Sequence, residues 1–123
     1  MRPDPVHASR PRCAPDARSL GVRVPRDIEP GEDGNVHPGM GGMSVSPGDP
    51  RNLPQHRRPP ALGGTGEDPV FVIPEDGLGA DLLFRPDPRN ERKHGFVEPA
   101  AVVGLEAYQR ALCDTAPAWR KMP

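Results

Sequence analysis

Apolar residues along this chain come in short runs fenced by proline and glycine, and only near the C-terminal end do they take up a helical period. Val70 to Ile73, between Pro69 and Pro74, is the most continuous run and predicts a strand buried on both faces. Leu82 to Arg85, closed by Pro86-Asp87-Pro88, and His94 to Pro99 predict two more strands. The charged stretch Arg89 to Lys93 is then the solvated tip of a hairpin between them. In the later strand Phe96 and Glu98 share one side and Val97 takes the other. Ser19 to Val24 alternates weakly, putting Leu20, Val22 and Val24 together and Arg23 on the opposite face. Met43-Ser44-Val45-Ser46 alternates in the same way, with Met43 and Val45 on one face and both serines on the other. Val102, Leu105, Tyr108 and Leu112 recur at intervals of three and four, which predicts a helix over 103–115, stopped by Pro117, with Trp119 packed beside it. These elements amount to an α+β domain, a small twisted antiparallel β-sheet with one C-terminal helix.

The stretch Gly39 to Glu67 fits neither period outside the Met43 strand. It carries two glycine clusters, a succession of prolines from Pro47 to Pro60 and the basic triplet His56-Arg57-Arg58. Irregular connections longer than about 12 to 15 residues are uncommon in compact domains and are usually functional when ordered, so the site is expected here.

Composition narrows the picture further. With 19 Pro and 14 Gly in 123 residues and only 34% hydrophobic residues, the core is thin, and a ligand or partner would add stability by mass action. Residues 1–18, rich in proline and arginine, read as a disordered or loose N-terminal arm, and 19–123 as a single domain. Sixteen basic and seventeen acidic residues nearly cancel, so no overall field draws the chain to nucleic acid or to an anionic membrane. There is no apolar run long enough to span a bilayer, and the first nineteen residues lack the apolar stretch of a secretory signal. A cytoplasmic protein is expected, in its producer or in a target cell, exported by a signal-independent route if at all. Cys13 on the arm and Cys113 on the helix read as two free thiols.

Familiar chemical signatures are absent. Leu62 to Glu67 lacks the Lys-Ser/Thr of a phosphate-binding loop, and Gly39-Met40-Gly41-Gly42 lacks the spacing and βαβ setting of a dinucleotide fingerprint. His37, His56 and His94 are too scattered to suggest a metal, and no Cys-x-x-Cys occurs. A triad assembled from Ser44 or Ser46, His94 and an aspartate has no nucleophile elbow around either serine. What remains is three polar positions on three separate strand candidates: Arg23, Ser44 or Ser46, and Glu98. An arginine can hold a phosphate through a bidentate charged pair. Serines beside glycines can bond a ribose at close range. A carboxylate can stabilise the positive charge that develops as a glycosidic C–N bond opens.

The segment Asp33-Gly34-Asn35-Val36-His37-Pro38, followed by Gly41-Gly42-Met43-Ser44-Val45, resembles the central motif of the Tse2 family of ADP-ribosyltransferase-like bacterial toxins. There an Asp-Gly-x-Val-x-Pro piece precedes a Gly-Gly-x-Ser strand. The C-terminal order is similar too, with His94-Gly95-Phe96-Val97-Glu98-Pro99 and then a helix containing Leu105-Glu106-Ala107-Tyr108-Gln109. The resemblance covers roughly residues 19 to 116. It implies an ADP-ribosyltransferase-like fold, NAD as substrate, toxicity through an unknown cytoplasmic target, delivery of the type VI or polymorphic-toxin kind, and a cognate immunity protein. On that basis Arg23, Ser44 and Glu98 are the catalytic candidates, in the Arg, Ser, Glu order of wider ADP-ribosyltransferases. Arg23, Gly41, Gly42, Ser44, Ser46, His56 and Thr65 are the cofactor-binding ones. Arg18 and Arg26 lie near enough to replace Arg23 if the first strand is shifted. Phe96, two residues before Glu98, leaves no second polar group to select an arginine acceptor. The alternative from another class is a non-catalytic binding module, whose basic loop of Arg51, His56, Arg57 and Arg58 would hold RNA or an acidic protein. A third expectation is a structural or largely disordered accessory protein.

Overall fold

The computed structural model describes residues 1–122. Along the chain the strands are Asn35–Val36 (β1), Met43–Val45 (β2), Phe71–Val72 (β3), Leu82–Pro86 (β4), Gly95–Pro99 (β5), Val103–Gly104 (β6) and Arg120–Lys121 (β7). One helix, Leu105–Asp114 (α1), lies between β6 and β7. The domain is therefore a small α+β unit with antiparallel sheets and a C-terminal helix. Its pairing is divided among a three-stranded sheet in the order β2-β5-β4 and two ribbons, β1-β6 and β3-β7. Proline explains the division: it supplies no ladder donor, so strands bounded by it end after a few residues.

The β4–β5 hairpin is the longest pairing, in register from Leu82↔Pro99 to Pro86↔Gly95. The edge strand β2 pairs with β5 from Met43↔Val97 to Val45↔Gly95. One face of this sheet carries Met43, Val97 and Leu82, all buried in the core with Leu20, Ile28, Val36, Phe71, Leu78 and Trp119. Helix α1 is built from good helix formers and places Tyr108 and Leu112 in the same core. The helix starts later than its period suggests because Val103 and Gly104 pair with β1, and it ends before Pro117, which cannot continue it. Trp119 packs beside it as expected, its indole N–H donating to the Thr115 hydroxyl at 2.9 Å.

Three expectations are corrected. Val70 to Ile73 is not a strand buried on both faces: only Phe71 and Val72 pair, with β7, and Val72 is exposed. Ser19 to Val24 buries Leu20 and Val22 but forms no strand, since Leu20 bonds back to Arg12 at 2.7 Å and Val24 is half exposed. Cys13 and Cys113 are not free thiols but a disulfide across 100 residues of sequence, with Cα atoms 5.4 Å apart. Closing a loop of that length stabilises by about 4 to 5 kcal/mol in the chain-entropy account. The same bond ties Cys13 to the C-terminal helix. Pro11 is fully buried, and Arg12 N–H donates to the Arg2 carbonyl at 2.7 Å.

The stretch after β2 is a chain of single 3-10 turns at Pro50–Asn52, Gln55–Arg57 and Pro60–Leu62. Its ends are tied together by Thr65 N–H on the Gln55 carbonyl at 3.0 Å and Gly66 N–H on the Arg58 carbonyl at 2.7 Å. It is a shaped loop.

Candidate functional site

Strand β2 lies at a sheet edge, with Met43 buried in the core and Ser44 exposed on the opposite face. All four residues from Met43 to Ser46 line a cavity of about 610 Å³ bounded by the turns at 50–57, by Phe71 and Ile73, and by Leu78 and Trp119. That volume suits a small organic ligand. Of the residues singled out from sequence, Arg23, Ser44, Ser46 and His56 line this cavity. Gly41, Gly42, Thr65 and Glu98 are not among its lining.

Arg23, and neither Arg18 nor Arg26, is the arginine at the cavity. Its backbone N–H donates to Asp27 Oδ2 at 2.8 Å and its Nη2 donates to Asp27 Oδ1 at 3.3 Å, with two-fifths of the side chain exposed. Asp27 thus orients the guanidinium while leaving donors free. Gly41 and Gly42 explain why this segment lies against β2. Gly41 has φ 97°, and a Cβ there would collide with the Asp27 carbonyl. Gly42 N–H donates to that carbonyl at 2.9 Å. The two glycines serve a close approach between backbones, where the sequence suggests contact with a ligand.

Glu98 is fully buried on the sheet face shared, by register, with Ser44 and Phe96. Its Oε1 accepts from Arg85 Nε at 2.6 Å, and its Oε2 has no hydrogen-bond partner. Arg85 is half exposed. Beside this pair Tyr108 joins helix to sheet: its hydroxyl accepts from Met43 N–H at 3.0 Å and donates to the Val97 carbonyl at 2.5 Å. Burial pushes the Tyr108 phenol well above its ordinary range, and the charges of Asp27 and Glu98 add to this. The hydroxyl therefore stays protonated and keeps both bonds.

At the other end of the hairpin His94 also lines the cavity, its Nδ1 2.7 Å from Asp87 Oδ2 and its ring edge-on to Phe96 at 4.8 Å. The hydrogen bond to His94, followed by one from Arg89 N–H, holds the Asp87 carboxyl below the usual carboxylate range. Sequence reasoning found neither Arg85 as the partner of Glu98 nor Asp87 as the partner of His94. Both follow from hairpin register, because Arg85 faces Phe96 and the diagonal neighbour two residues on is Glu98.

Thr65 is exposed and does not line the cavity. Two of the loop's arginines are committed to the protein's own carbonyls, Arg57 to Ala17 at 2.8 Å and Arg58 to Leu62 at 3.2 Å, while Arg51 stays largely exposed and meets Asp49 at 3.5 Å. Among the described residues no three His, Cys, Asp or Glu side chains are grouped to hold a metal. Among the described residues no helix is long and apolar enough to cross a membrane. Comparison with protein-family models, with curated proteins and with solved structures finds no match to this chain.

Proposed function

We propose that this chain is an ADP-ribosyltransferase-like bacterial toxin that binds NAD in the cavity along β2 and transfers ADP-ribose to a macromolecule of the target cell. The observation that carries the proposal is Glu98, a fully buried carboxylate with one oxygen fixed by Arg85 and the other without a donor. A buried acceptor left unpaired costs about 1 to 3 kcal/mol, a cost that a ligand or a reaction using the group would explain. Arg23 supplies the free donors for the pyrophosphate. Ser44 and Ser46 hold the nicotinamide ribose, with Gly41 and Gly42 setting the start of their strand. His56 and the turns at 50–57 cover the ligand. Glu98 does not line this cavity, so in this reading NAD reaches over the edge strand β2 and brings its nicotinamide ribose to the sheet face of Ser44, Phe96 and Glu98. There the carboxylate, held by Arg85, stabilises the oxocarbenium-like charge as nicotinamide leaves. A cognate immunity protein would act by covering the mouth of this cavity. The basic-loop alternative has less support, since Arg57 and Arg58 are already engaged.

The test compares the wild-type chain with Glu98→Gln, an uncharged side chain of the same shape. Nicotinamide release from NAD is expected to fall about 10²- to 10³-fold with NAD binding retained in calorimetry, and growth arrest on cytoplasmic expression is expected to disappear. Full activity of Glu98→Gln would remove Glu98 from the mechanism. A wild type that does not bind millimolar NAD would end the proposal.

A further inference from the structure

Asp87 and His94 form a second acid pair on the β4–β5 hairpin, one that the stabilisation of a departing nicotinamide does not use. Asp87 N–H donates to the His94 carbonyl at 3.0 Å, which carries the hairpin register one row beyond Pro86↔Gly95. Extending the β2–β5 register by one residue from Val45↔Gly95 sets Ser46 across from His94. Asp87 and His94 therefore share one row just beyond the strands, the extended register brings Ser46 toward it, and His94 and Ser46 both line the cavity. Asp87 Oδ2 lies 2.7 Å from His94 Nδ1. A carboxylate there can only accept, so in the neutral ring Nδ1 carries the proton and Nε2 bears the lone pair. Among the described residues Nε2 has no hydrogen-bond partner, and the side chain is one-third exposed. Phe96 packs edge-on against the ring, the centroids 4.8 Å apart. An imidazole fixed in tautomer and orientation, with its basic nitrogen unpaired at a cavity, is arranged as a general base.

We propose that His94, oriented by Asp87, is the base that accepts the proton of the attacking nucleophile, a water or hydroxyl group, in the cavity lined by Ser46. This step rests on the NAD reading above. As the bond between ribose C1′ and the nicotinamide nitrogen breaks, its electron pair leaves with nicotinamide and neutralises the pyridinium. A new C–O bond forms from the nucleophile to C1′. The nucleophile's proton passes to His94 Nε2 and then to solvent, so one NAD and one hydroxyl compound yield nicotinamide, an O-linked ADP-ribose and a proton. Glu98 stabilises charge at the sugar and His94 handles the proton. His94 is a catalytic residue in this scheme, and Asp87 a positioning residue.

The experiment measures nicotinamide release from NAD by the purified full chain, with water as acceptor. His94→Ala is expected to lower kcat about 10²- to 10⁴-fold while KM for NAD changes less than threefold, and added imidazole is expected to restore a saturable part of the rate. Asp87→Asn is expected to lower kcat by a smaller factor, again with little change in KM. Imidazole rescue reads the missing base itself, because a chain that had merely lost its fold would not respond. A wild type that cleaves NAD beside a fully active His94→Ala overturns the base alone, as does a folded His94→Ala whose lost rate imidazole cannot restore. A wild type that neither binds nor cleaves NAD overturns the NAD reading and this step with it.

Discussion

Two acid pairs brace the same hairpin, and their surroundings are opposite. At the inner end Glu98 is fully buried, bonded to Arg85 at 2.6 Å, and roofed by the helix through Tyr108. At the outer end Asp87 and His94 meet at a similar 2.7 Å, but their side chains are 15% and 32% exposed and lie beside the hairpin tip. Equal geometry does not mean equal consequence. Water screens the outer pair, so it contributes little to stability and leaves a nitrogen free for chemistry. The inner pair holds a charge out of water, where losing its partner is costly. One end of the hairpin is thus a structural commitment with a single spare oxygen, and the other a part-exposed pair with a spare nitrogen.

The sharpest way to break this contrast is to remove the inner cation. Arg85→Met leaves the Glu98 carboxylate buried with no partner, and a loss of about 3 kcal/mol is expected, near the low end for buried pairs because the guanidinium is itself half exposed. Denaturant unfolding at neutral pH measures it. Adding Glu98→Leu to the same chain removes the stranded charge and is expected to recover most of the loss. A change below about 1 kcal/mol for Arg85→Met would mean that water reaches Glu98 and that the two ends are alike.

How much of this was legible beforehand depends on how local the cause is. The hairpin, its charged tip and the face of Phe96 and Glu98 could be read because period-two alternation and flanking prolines act within a few residues. The single helix could be read for the same reason, apart from Val103 and Gly104, which tertiary pairing takes into β6. The site was half legible. Arg23, Ser44, Ser46 and His56 line one cavity, but Gly41 and Gly42 proved to accommodate the carbonyl of Asp27, a contact fourteen residues back that no local pattern announces. The contacts of residues 1–18 were hidden because they come from a bond between Cys13 and Cys113 and from backbone hydrogen bonds with Arg18 and Leu20, not from their own apolar content. Short strands such as β3 and β7 escaped because two residues carry no period.

A smaller effect tests the roof over the inner pair. Tyr108→Phe keeps the ring in the core but strands Met43 N–H and the Val97 carbonyl, so a loss of about 2 kcal/mol is expected. The denaturation midpoint should fall with the m-value unchanged. If stability is untouched, β2 and β5 close on each other without the hydroxyl, and the helix does not clamp the inner end.

The smallest expected effect belongs to the outer pair, and its signature is its pH dependence. The folded-state pKa of Asp87 lies below its unfolded value, first through the hydrogen bond with His94 and then through Arg89 N–H. A lowered carboxylate contributes stability that is fully present above the unfolded pKa, about 4, and is lost as pH falls through the folded pKa. Asp87→Asn removes that linkage while keeping the shape. The melting temperature of the variant is therefore expected to lie slightly below that of the wild type at neutral pH, with the gap closing as pH drops below about 4. The other lowered carboxylates, Asp4, Asp16 and Asp33, remain in both chains and cancel in the difference. A gap that stays constant from pH 7 to pH 2 would mean that Asp87 acts through packing rather than charge. A gap as large as that of Arg85→Met would mean that the outer pair is no less a structural commitment than the inner one, which its exposure to water argues against.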